Sequence, residues 1–170
     1  MDKAWIALHV RTGTEADVLR ALEAKEGAEA LAPMEQILRR KDGCARRIIR
    51  PLLPGYVLVC WERSGNLWHR IRRITGVIRI LGGYPPGEIP ENQIAVVRAL
   101  DAYCRAGSPA PASREDGRTS ITGGPLAPYG GRIVSVNARA GRARLAVELL
   151  DEQRIVSVNI DLSKPDEGGG

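Results

Sequence analysis

A chain of 170 residues with 44% hydrophobic and 26% charged residues can bury a real core, and it lies far from the apolar-poor, charge-rich composition of a disordered protein. Its net charge of +5 arises in residues 1–105, where 17 Lys and Arg oppose 12 Asp and Glu, while residues 106–170 balance at 8 against 8. No apolar run approaches the ~20 residues of a membrane span, Asp2, Lys3, His9 and Arg11 interrupt any signal-peptide core, and Cys44, Cys60 and Cys104 show no CxxC or CxxH spacing; we read a cytoplasmic protein with no membrane segment, disulfide framework or metal site.

Trp5 to Val10 (WIALHV) is short, apolar and β-compatible, and Gly13 ends it. From Thr14, which can cap a helix, Val18, Leu19 and Leu22 recur at helical spacing until Gly27. Ala30 to Arg40 and Ala45 to Leu52 flank Asp42-Gly43, a strong hairpin signal. The apolar run Tyr56 to Trp61 (YVLVCW), entered through Pro54-Gly55, has the length of a buried strand. Ser64 is positioned to cap a second helix in which Leu67, Trp68, Ile71 and Ile74 share a face and His69, Arg70, Arg72 and Arg73 occupy the others. A strand at Val77 to Leu81, a Gly82-Gly83 turn and a third helix opened by Pro90 complete the first part. This order predicts an α+β fold: an antiparallel sheet with flanking helices over residues 1–105. Residues 106–117 (AGSPAPASREDG) show no apolar periodicity and read as a linker with partly extended character. Four or five short strands over 118–165 predict a small β-barrel, followed by a flexible tail at 166–170.

Two basic clusters stand out. Arg39, Arg40, Lys41, Arg46, Arg47 and Arg50 fall within the hairpin with only Asp42 opposing them, and His69, Arg70, Arg72 and Arg73 fall on the second helix. Nearly all are Arg, whose guanidinium fork pairs with phosphate bidentately, so both are candidate nucleic-acid contacts. Tyr56, an aromatic with a polar tip beside a Pro-Gly turn, suits an interface anchor, whereas Trp5 fits core and interface equally and Trp68 fits the core better. Catalysis finds no support: there is no GxGxxG, GxxxxGK[ST], HExxH or GxSxG, the two histidines are sixty positions apart, and Cys60 lies within a strand as an inert thiol. No cofactor is expected.

The segments WIALHVRTGTEADV, LLPGYVLVCW and SGNLWHRIRRITGVIRILGG, followed after the linker by GGPLAPYGGRIVSVNARAGRARLAVELL, resemble the NusG family of transcription elongation factors, in order and over nearly the whole chain. The first three resemble its N-terminal (NGN) domain and GPLAPYGGRIVSV its KOW motif, here Gly124, Pro125, Tyr129, Gly131 and Arg132, within an SH3-like barrel. RTG near the start and the basic hairpin further resemble specialised LoaP-type antiterminators. The resemblance implies a monomeric factor that binds the clamp helices of RNA polymerase through an apolar concavity, carried over here onto Trp5, Leu53, Pro54, Gly55 and Tyr56; where many members have an aromatic, this chain has Leu53. It implies contact of the second helix with non-template DNA, contact of the hairpin with structured nascent RNA, and recruitment by the barrel of a further partner such as a ribosomal protein or Rho. A general NusG-type factor and a ribosome-associated KOW protein are the alternatives.

Overall fold

WIALHV offers apolar side chains to both faces of its strand, so both faces must be covered. The computed structural model, which describes residues 2–63, 66–83 and 85–162, shows how. β1 (Lys3–Val10) lies inside a sheet of order β2-β5-β1-β6 with β2 (Ala30–Leu31), β5 (Tyr56–Glu62) and β6 (Val77–Ile80), and the described pairs are antiparallel. One face carries Ile6, Leu8, Val57, Val59 and Trp61 against Val18 and Leu22 of α1 (Glu15–Glu26) and Ile71 of α2 (Leu67–Ile71). The other carries Trp5, Ala7, Tyr56 and Leu58 in a cluster with Ile94, Val97 and Leu100 of α3 (Glu91–Ala106). Alternation along β1 therefore feeds two separate apolar layers, the arrangement that a non-alternating apolar strand requires.

The hairpin forms as the Asp-Gly signal predicts. β3 (Met34–Lys41) pairs with β4 (Cys44–Pro51) in register from Met34↔Pro51 to Lys41↔Cys44, and both turn residues have positive φ, Asp42 at 55° and Gly43 at 77°, as a tight two-residue turn demands. It is a sheet of two strands on its own, held to the body at its foot.

Three expectations need correction. Residues 106–117, expected as a linker of partly extended character, are part of both neighbouring elements: Ala106 ends α3, and β7 (Ala110–Glu115) is a strand that pairs antiparallel with β8 (Arg118–Ile121) and parallel with the end of β11 (Glu152–Asp161) at Ile160↔Ala110. Ala110 and Ala112 point inward at period two, and methyl groups this small leave almost no periodic signal among Pro and Ser. Thr14 occupies the N-cap of α1, but its hydroxyl donates to the Arg11 carbonyl (2.6 Å) instead of accepting from the helix. The second helix is a five-residue turn after Asn66; the predicted cap Ser64 lies outside the described residues, as does the expected tail at 166–170.

The second sheet has order β8-β7-β11-β10-β9, with β9 (Ile133–Asn137) and β10 (Arg142–Leu149), and it curls into a nearly closed barrel around Ala143, Leu145, Val147, Val156 and Val158. The KOW loop enters it as a two-turn 3-10 helix, Ala127–Arg132, that packs on β8. Gly130 is required there, since a Cβ would sit 2.6 Å from the Ile121 carbonyl oxygen. The apolar cluster of α3 continues into the barrel interior. Among the described residues no helix is long and apolar enough to cross a membrane.

Candidate functional site

The Pro54-Gly55-Tyr56 turn is built by a buried carboxylate. Glu15, 2% exposed at the start of α1, accepts the Gly55 N–H on Oε1 and the Gly13 N–H on Oε2, both at 2.9 Å, tying the turn to the end of β1. Gly55 sits at φ 85°, where a side chain would be strained. Tyr56 then emerges opposite His9, whose ring stacks on it at 5.6 Å. Trp5 and Tyr56 share one face of the β1/β5 pair, at its two ends, with Leu53 buried in the same cluster and Pro54 exposed at the rim.

This surface is covered. Trp5, Leu53 and Tyr56 are 7%, 3% and 6% exposed. Over Trp5 lies the Arg98 guanidinium of α3, 5.2 Å from the ring. Over Tyr56 lies the start of β11: the phenol donates to Glu152 Oε2 (3.0 Å) and accepts from Arg154, whose guanidinium stands 4.8 Å above the ring. Burial, followed by the hydrogen bond to Glu152, raises the Tyr56 pKa above its ordinary value, and the hydrogen bond from Tyr56 lowers that of Glu152 below the usual carboxylate range. The neighbouring turn is clasped by α3. Gln93 accepts from the Leu150 N–H (2.7 Å), and Leu150, at φ 56°, lies so close to Gly87 that a Cβ there would approach it within 2.8 Å. Further along, the Tyr103 hydroxyl accepts from the Asn159 N–H (2.8 Å).

The hairpin is the opposite case. Its foot is fixed by Glu35, 4% exposed, which accepts from Arg50 Nε at 2.6 Å and has Arg142 of β10 at 3.8 Å. Arg50 is therefore engaged inside the protein. Towards the tip, Arg39, Arg40, Lys41, Arg46 and Arg47 are exposed and form no ion pair among the described residues. Two large aliphatics are also bare, Leu38 at 71% and Ile49 at 64% exposure. On α2 the predicted cluster is divided: Arg70 pairs with Glu26 (2.9 Å), Arg72 lies over the Trp68 ring at 5.5 Å, and His69 and Arg73 are exposed. Trp68 itself is half-buried beside the α1 cluster. In the barrel, Gly124 takes positive φ (74°), Pro125 and Gly131 are exposed, and Tyr129 is half-buried with Arg132 at 5.7 Å from its ring.

Sequence reasoning missed Glu15, Glu35, Gln93, Glu152 and Arg154. Each acts through a partner 15 or more positions away, and no local spacing signals that. Burial raises the Cys60 pKa and pushes Cys104 up to about 12, whereas Cys44 lies exposed at the hairpin tip. No group of three or more potential metal ligands occurs among the described residues.

A helix-flanked antiparallel sheet with a projecting ribbon, joined to a small barrel that carries a glycine-rich loop, defines a protein of the NGN-plus-KOW class. The family model described as "Transcription termination factor nusG" matches residues 3–98, and the chain belongs to the NusG family. It is 29% identical over 158 residues to the transcription termination/antitermination protein NusG of Pseudomonas aeruginosa, covering 86% of this chain and 89% of that one. To the protein of the same name from Pasteurella multocida it is 27% identical over 175 residues, covering 95% and 93%. Among solved structures, one described as "Domain interaction in Thermotoga maritima NusG" matches with a TM-score of 0.62 at 19% identity, over 94% of this chain and 95% of that one, and supports the fold.

Proposed function

We propose that this NusG-type protein acts in transcription elongation and antitermination by binding the clamp helices of RNA polymerase through Trp5, Leu53, Pro54, Gly55 and Tyr56, contacting nucleic acid through its basic surfaces, and recruiting a further partner through the barrel. The observation that carries this reading is the character of the cover over Tyr56. A surface needed only as core would be sealed with apolar contacts, yet here the cover over the Tyr56 phenol includes a carboxylate and a guanidinium from the far end of the chain. Such groups recover hydration when they separate, so the cover can lift at modest cost. In this proposal the barrel masks the polymerase surface until it is displaced.

The test is capture of core RNA polymerase by the full chain. Replacing Glu152 and Arg154 with Ala should raise affinity about tenfold, the equivalent of one or two lost hydrogen bonds of ~1 kcal/mol each. In that opened background, Tyr56→Ala should cost ~2 kcal/mol of polymerase binding, as an interface anchor does. Unchanged affinity in the first variant refutes masking, and unchanged affinity in the second refutes the assigned surface. The similarity to proteins named NusG favours a general factor as a second reading; the unpaired cations of the hairpin favour the specialised antiterminator.

A further inference from the structure

Cross-strand register divides the hairpin into two faces. Ile37 lies opposite Ile48, Arg39 opposite Arg46 and Lys41 opposite Cys44; on the other face Gln36 lies opposite Ile49, Leu38 opposite Arg47 and Arg40 opposite Ala45. Both faces run from aliphatic near the foot to cationic near the tip. They differ in cover, because Ile37 and Ile48 are half-buried while Leu38 and Ile49 are the two most exposed large hydrophobic residues of the described chain. Leu38 and Ile49 are diagonal neighbours, close enough to form one apolar step, with Arg47 beside them and Arg40 beyond. At its edge, Leu38 and Arg47 also wall a cavity of about 650 Å³ against Asp101 and Arg105 of α3.

Phosphate contact alone explains the arginines but not two bare aliphatics between them, for which polar residues would be the ordinary choice on a solvated ribbon. We infer that this face is a seat for unstacked bases of a structured RNA, with Leu38 and Ile49 packing on base surfaces while Arg40 and Arg47 hold the flanking phosphates. The inference rests on the nucleic-acid reading proposed above and assigns it a face and a chemistry. Charge complementarity commits the occupant to nucleic acid: the exposed cations have no ion-pair partner among the described residues, and a phosphate backbone supplies compensating charges at regular spacing. The aliphatic step selects RNA with unpaired bases. A perfectly paired A-form stem hides its base edges in a groove too deep and narrow to read, whereas a bulge or loop presents base faces that need no further unstacking. Apolar side chains are used in this way where protein wedges meet opened base steps.

The experiment is fluorescence anisotropy with the full chain across a salt series, using a perfectly paired RNA stem, the same stem with a central bulge, and the corresponding DNA duplexes. Wild type should prefer the bulged RNA about tenfold over the paired stem, the scale expected from burying part of two aliphatic side chains. Leu38→Ala with Ile49→Ala should abolish that preference and leave the salt slope unchanged. Arg46→Ala with Arg47→Ala should weaken binding to every probe and flatten the slope by about one to two units. If the aliphatic variant keeps the preference, the seat is wrong while nucleic-acid binding by the ribbon stands. If the arginine variant matches wild type in affinity and slope, the ribbon faces a protein instead and both readings fall. Equal or tighter binding to the DNA duplexes overturns the commitment to RNA.

Discussion

Leu53 and Leu38 lie fifteen positions apart in the same domain, one 3% exposed beneath the barrel and the other 71% exposed on the hairpin. The two candidate surfaces they belong to contrast in the same way. The Tyr56 surface is apolar and covered, with Glu152 and Arg154 closing over it; the ribbon is charged and bare towards its tip, with Glu35 holding its foot. If both serve partners as proposed, exposure is not the mark of a binding surface in this fold. A covered apolar face can serve a partner if its cover is partly polar and detachable, and a bare basic face is available at all times.

The sharpest way to break the comparison is to make the same substitution in both places. Leu53→Ala should destabilise the chain by about 2–5 kcal/mol, the range for truncating a buried leucine, whereas Leu38→Ala should fall within about 0.5 kcal/mol of wild type. Chemical denaturation of the two variants measures this, and a similar cost for both would show that the hairpin face is covered in solution.

A smaller effect should appear with pH. Glu152 has its carboxyl lowered by the phenol of Tyr56, so its contribution to the closed arrangement is present above the ordinary carboxylate value and fades as pH falls through the lowered one. Tyr56 has the opposite sense: with its pKa raised, its contribution holds below the ordinary tyrosine value and is lost as pH rises through the higher one. Closure, followed by Tyr56 resonances or by a distance probe between the halves, should therefore weaken at both extremes. Glu152→Gln should remove the acidic limb, and an acidic limb that persists would assign it to another carboxylate. The mobility of the hairpin tip should not follow this profile, because none of its cations has a titrating partner among the described residues.

The smallest effect concerns the connection between α3 and β7. Inserting a few Gly and Ser residues beside Ser108 should cost less than about 1 kcal/mol, since closure entropy grows only with the logarithm of length. Thermal unfolding measures it. A large loss would mean that the short connection itself holds the cover in place, with Gln93 and Tyr103 contributing little.

Local physics made much of this molecule legible. WIALHV and YVLVCW read as buried strands because apolar side chains fill both faces, and Asp42-Gly43 reads as a turn because few residue pairs accept two consecutive positive φ values. The arginine clusters were visible as charge with little nearby to oppose it. Tertiary structure decided the rest. Ala110 and Ala112 became a strand only because the end of β11 was there to pair with them and the barrel had room for methyl groups. Arg50 and Arg47, three positions apart on one strand, were separated in role by the buried carboxylate of Glu35. Tyr56, expected as an interface anchor, lies covered through Glu152 and Arg154, nearly a hundred positions later. The reason is the same in each case: propensity and hydrophobic pattern act over a few residues, whereas the partner of a buried polar group is set by which distant segments the fold brings within hydrogen-bonding distance.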